Sequence, residues 1–109
     1  MRATMADRAV LKALRDFATA EFREKTATLV HVRRVKAKIS MTRGVLPDFT
    51  VRTVKGTHYL VCVFRGDAMR VYYFGKNGEQ LGASEFTGDA KEKAWKEIVE
   101  RTSSTFCIR

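Results

Sequence analysis

HYLVCVFRGDAMRVYYFGKNGEQ, residues 58–80, holds two apolar runs, each followed by a glycine turn. Asn77-Gly78 is the sharper turn, because a type I′ hairpin needs positive φ at both central positions and these two residues tolerate it best. Gly66-Asp67 turns the chain between the runs. The first run, Tyr59 to Phe64, is apolar on both faces and suits a central strand, and the second runs from Met69 to Phe74. A meander of neighbouring antiparallel strands results, with residues 79–86 as its last and weakest member.

Upstream, Pro47 opens a further strand pattern through Phe49, Val51 and Thr53, and Lys55-Gly56 then turns the chain. Before it stands VHVRRVKAKISMTRG, residues 30–44, with five basic side chains and no acid. Val35, Ala37, Ile39 and Met41 share one face of an extended chain, and Arg34, Lys36, Lys38 and Ser40 share the other. Val30 and Val32 follow the opposite phase, which predicts a β-bulge at Arg33-Arg34. The cations would then stand about 7 Å apart along one strand, close to the spacing of successive phosphates.

Both ends of the chain read as helix. Val10, Ala13, Leu14, Phe17, Ala18 and Phe22 recur at helical spacing over residues 5–25, behind a Thr4/Asp7 capping box. Ala90, Ala94, Trp95, Ile98 and Val99 do the same up to Arg101, with Asp89 as N-cap and Glu92 at the reciprocal position. The tail, with Phe106 and Ile108, is read as a short strand or a segment docked on the core. The expected fold is α+β: an antiparallel meander of four to five strands, flanked by an N-terminal and a C-terminal helix packed on one face. Residues 1–109, 45% hydrophobic, are sized for one basic domain.

Charge is the strongest global signal: 21 Lys+Arg against 12 Asp+Glu give +9. From residue 25 to 66 nine cations face Asp48 alone, while the flanking segments are nearly balanced. Such an excess attracts polyanions, nucleic acid first. With both helices on one face, the other would present Arg33, Arg34, Lys36, Lys38, Arg43, Arg52 and Lys55 beside stacking rings from His58, Tyr59 and Tyr72. Bases stack on such rings for ~1–3 kcal/mol each while cations hold phosphates. The expected function is therefore non-enzymatic binding of DNA or RNA. The alternative is a small protein-binding regulator or inhibitor, of the mobile-element accessory or immunity type, docking on an acidic partner surface. An outer strand pairing with its twin across a two-fold axis would give a homodimer.

Other chemistries find little support. His31 and His58 could serve a metal-independent ribonuclease, the one enzymatic alternative. Cys62 and Cys107 form no CxxC unit, the aspartates lack metal-binding spacing, and no GxxxxGK[ST] loop occurs, so neither metal nor cofactor is expected. No apolar run approaches the roughly 20 residues of a membrane span, and a cytoplasmic protein without membrane partners is expected.

Overall fold

A computed structural model of the chain describes residues 2–24, 26–36 and 56–109. Helix α1 (Arg2–Glu24) precedes strand β1 (Leu29–Val35), and β2 (Thr57–Arg65), β3 (Ala68–Gly75) and β4 (Gln80–Thr87) follow. Helix α2 (Gly88–Arg101) then leads directly into β5 (Thr102–Ile108). The strands form one antiparallel sheet in the order β4-β3-β2-β1-β5, so the fold is α+β as expected.

The meander is β2-β3-β4, and its turns lie where glycine supplies positive φ: +54° at Gly66 and +89° at Gly78. Asn77 does not share that conformation, so the turn before β4 is not the type I′ hairpin expected; Gly78 N donates to the Gly75 carbonyl at 3.0 Å instead. The fifth strand comes from the tail, which returns across the sheet to pair with β1. The strand expected around Phe49 to Thr53 lies outside the described residues.

The expectation that both helices share one face is corrected: they sit on opposite faces. Val10, Leu14 and Ala18 of α1 cluster with Val30, Val32, Tyr59, Val61, Val63, Tyr72 and Phe74. Ala94 and Ile98 of α2 cluster with the alternate residues, Val35, Leu60, Cys62, Met69, Val71 and Tyr73. Side chains alternate across a strand, so the odd positions of β2 belong to α1 and the even ones to α2. That is the physical reason β2 is apolar throughout. Phe17 closes the α1 side with edge contacts to Tyr72 at 5.0 Å and Phe74 at 5.3 Å.

Two-sided burial also explains the phase change in β1 without a bulge there. Val30 and Val32 lie under α1 and Val35 under α2, in unbroken alternation. The irregularity sits in the partner: Val32 pairs with Phe106 and Arg33 with Ser104, leaving Thr105 as the extra residue of β5. Thr105 ties itself back by donating its hydroxyl to the Val32 carbonyl at 2.8 Å.

The helix starts differ too. Helix α1 begins at Arg2, upstream of the expected Thr4 cap. Thr87 rather than Asp89 holds the N-cap position of α2, without a side-chain capping bond, because β4 passes straight into the helix through Gly88 at φ +55°. Asp89 instead lies in the first turn, where its charge favours the helix dipole. No helix among the described residues is long and apolar enough to cross a membrane.

Candidate nucleic-acid interface

The two central arginines of the basic segment part company, as neighbours on a strand must. Arg33 points to the α2 side and is 8% exposed. Its Nε donates to Thr102 Oγ1 at 2.9 Å and its Nη2 to the Thr102 carbonyl at 3.0 Å. The guanidinium lies 5.6 Å from the Trp95 ring. Desolvation by burial lowers its pKa. Arg34 points to the α1 side, where Nη2 donates to Asp7 Oδ2 at 3.0 Å and to the Tyr59 hydroxyl at 3.4 Å. The Tyr59 bond, ahead of the Asp7 charge, raises its pKa. Neither arginine stands free in a row of phosphate contacts.

Lys36, just beyond β1, is exposed, and its Nζ donates to the Glu100 carbonyl at 3.3 Å. Its backbone N donates to the Arg101 carbonyl at 3.1 Å, so this cation is held at the C-terminal end of α2, where the dipole favours it. Lys38, Arg43, Arg52 and Lys55 lie outside the described residues.

The expected stacking rings are placed in the core instead. Tyr59 is 0% and Tyr72 9% exposed, both beneath α1. Their hydroxyls serve as anchors for that helix: Tyr59 donates to Asp7 at 3.3 Å and Tyr72 to Glu21 at 2.9 Å. Only His58 remains half-buried, its ring 5.0 Å from that of Tyr59. It is also apart from His31. Cys62, the cross-strand neighbour of His31, lies four residues along β2 from His58, or about 13 Å at ~3.3 Å per residue. The two imidazoles therefore do not meet over one phosphodiester.

On the α2 side the structure gathers a different set. Helix α2 crosses the sheet from the end of β4 to the start of β5, and Trp95 overhangs β1 and β2. Its indole lies 4.7 Å from the His31 ring, tilted by 31°, and 5.1 Å from Phe64, edge to face. All three rings are half-buried. Beside them runs a groove of about 660 Å³, lined by Phe64, Trp95 and Val99 together with Lys91, Lys96, Glu92 and Glu100. Val99, at 42% exposure, is the exposed large hydrophobic side chain among the described residues.

His31 reports the electrostatics of this corner. Burial lowers its pKa first, and the charges that act with it are two guanidiniums, Arg33 and Arg109. Its Nδ1 is buried without a hydrogen-bond partner. The imidazole is therefore neutral near pH 7 and sits in a positive field. Sequence reading placed Trp95 and Phe64 in the core and His31 among the cations. Their meeting depends on the crossing path of α2, which has no local signature.

Two other clusters are chemically closed. A cleft of about 220 Å³ beside α1 holds Arg65, Arg70, Glu21 and Glu85, but Arg70 and Glu85 pair at 2.7 Å and Glu21 takes the Tyr72 hydroxyl. Cys62, His31 and Cys107 form a lateral row on three adjacent strands. Strand spacing of ~4.8 Å sets the outer two roughly 10 Å apart, too far for both to reach one metal ion. Burial pushes the Cys62 thiol up to about 12. No group of three His, Cys, Asp or Glu able to hold a metal ion occurs among the described residues.

Comparison with family models, with curated proteins and with solved structures gave no match.

Proposed function

We propose that this chain binds nucleic acid, DNA or RNA, without performing chemistry on it, and that it does so in the cytoplasm. The observation that carries the reading is the charge distribution: nine cations against one acid between residues 25 and 66. Arg33 and Arg34 have internal partners, so the phosphate contacts fall to Lys36 and to the cations of residues 37–55, four against Asp48. Lys36, just past the end of β1, and His58, near the start of β2, flank that segment, and the field of Arg33 and Arg109 at the Trp95 corner adds to it. The separation of His31 from His58 supports binding rather than cleavage.

Fluorescence anisotropy of labelled single- and double-stranded oligonucleotides, titrated at several salt concentrations, tests the reading. Phosphate binding gives a log-log salt slope of about −0.7 to −0.9 per contact, and Lys36→Gln with Lys38→Gln should reduce the slope by about 1 for each lysine. Tyr59→Phe and Tyr72→Phe should leave affinity unchanged, since both rings are buried. No detectable binding to any oligonucleotide at ~50 mM salt would sink the proposal.

One observation favours a second reading, the small protein-binding regulator. The groove at Trp95 is lined by apolar side chains and by charges of both signs, which also suits a protein side chain as anchor. Under that reading a stable protein complex forms and oligonucleotides do not compete for it.

A further inference from the structure

We infer that the groove between α2 and Phe64 of β2 receives one unstacked base of a single strand, with the strand's backbone passing Arg109. The inference rests on the nucleic-acid reading above and adds the strandedness and the place of the base.

Three observations converge on it. First, the rings are organised as a platform: Trp95 is braced by His31 at 4.7 Å and by Phe64 at 5.1 Å, yet each remains half-buried. A braced indole offers π surface with little motion to lose on binding, and every base has a π face to match it. Second, the cavity suits the occupant. At about 660 Å³ the groove lies within the ~300–1,000 Å³ range of small-ligand clefts, and it is lined by the flank of α2 and by Phe64 of β2. A duplex keeps its base faces stacked inside, so only an unpaired base can enter.

Third, an excess of positive charge lies to one side of the rings. The charges acting on His31 are both guanidiniums, from Arg33 and Arg109. Arg33 is held by Thr102 and contributes field rather than contact. Arg109 is exposed at the end of β5 and can meet a phosphate directly. On the helix side, Glu92 and Glu100 line the groove among the lysines. The helix flank carries two charges of each sign and is neutral overall, so the excess positive charge beside the rings comes from Arg33 and Arg109, and the backbone passes on the β5 side.

Trp95 is the one tryptophan of the chain, so its emission reports this groove alone. Oligothymidylate of about 12 nucleotides, labelled at one end, is titrated into the full chain while anisotropy and tryptophan emission are both recorded, and a duplex of equal length serves as comparison. The expected result is saturable quenching of Trp95 with the same midpoint as the anisotropy rise, and no quenching by the duplex. Arg109→Ala and Val99→Glu, both at exposed positions, should each weaken single-strand binding by about tenfold while leaving the unfolding midpoint in place.

An anisotropy rise with unchanged tryptophan emission would overturn the inference and leave the nucleic-acid reading standing. Absence of any anisotropy rise would overturn both. Equal quenching by the duplex, or a change of Trp95 emission with protein concentration alone, would assign the groove to another occupant, in the last case a second copy of the chain.

Discussion

The anchoring of Arg33 can be tested by substituting Thr102, a residue remote from it in sequence. Thr102 is 3% exposed, and its hydroxyl works twice: it accepts from Arg33 Nε at 2.9 Å and donates to the Ile98 carbonyl at 2.6 Å. Thr102→Val keeps the shape and removes both bonds. Leaving a donor of a buried cation without an acceptor costs about 1.5–3 kcal/mol, and the lost bond to Ile98 about 0.5–1.5. The single substitution should therefore destabilise by roughly 2–4 kcal/mol.

Arg33→Met removes the desolvated charge and keeps the Thr102–Ile98 bond, so it should stay within about 1 kcal/mol of the parent, the lost Trp95 contact included. With Arg33 already replaced, Thr102→Val should cost only about 0.5–1.5 kcal/mol. A coupling of about 1.5–3 kcal/mol follows, and each kcal/mol moves Tm by about 4–8 °C in a domain of this size. Urea unfolding of the four proteins, followed by Trp95 emission and by far-UV circular dichroism, measures it. If Thr102→Val costs the same in both backgrounds to within about 0.5 kcal/mol, the Thr102 hydroxyl does not hold Arg33 Nε.

Three further outcomes follow from the same contacts. Burial, Arg33 and Arg109 hold His31 below its ordinary value of 6.5, so the unfolded chain takes up this proton first. Stability from His31 is then complete above about pH 6.5 and lost as pH falls through the lower folded value, and His31→Gln should flatten urea midpoints between about pH 8 and 5. An unchanged slope would refute this. Cys62 is 0% exposed and its thiol is pushed up to about 12, whereas Cys107 is only half-buried. A thiol reagent should therefore modify one cysteine in the native protein and both in urea, and rapid native modification of both would contradict the burial. Leu14→Ala, at 2% exposure in the α1 cluster, should cost about 2–5 kcal/mol in the same unfolding assay, and a loss under ~1 kcal/mol would mean α1 is not docked as described.

The meander was legible because its information is local. Asn77-Gly78 and Gly66-Asp67 mark turns by their own chemistry, and the runs between them carry β-forming side chains. The side on which each helix packs was misread, although β2 held the clue. A strand whose odd and even positions are all apolar has two covered faces, and two helices on one face would leave Leu60, Cys62 and Tyr73 in water. The second helix had to lie opposite.

The site was less legible because its contacts span the chain. Nothing near Arg33 distinguishes a buried arginine from a solvated one, and its partner lies 69 residues away. Tyr59 and Tyr72 looked the same as platforms and as core residues until the path of α1 was known. Trp95 matched the helical period of a core position, yet it stands at the margin of what α2 covers, which makes it both braced and open.

Strand β5 sets a condition on how the molecule forms. Its partner, β1, is made early, whereas the residues that complete the sheet beside it emerge some seventy positions later. Closing so long a loop is entropically slow, so contact order places this pairing among the late steps of folding. Until then β1 is a bare margin with an unpartnered Arg33, and a nascent chain halted before Thr102 exposes the polar backbone of this first strand to whatever neighbour can match it.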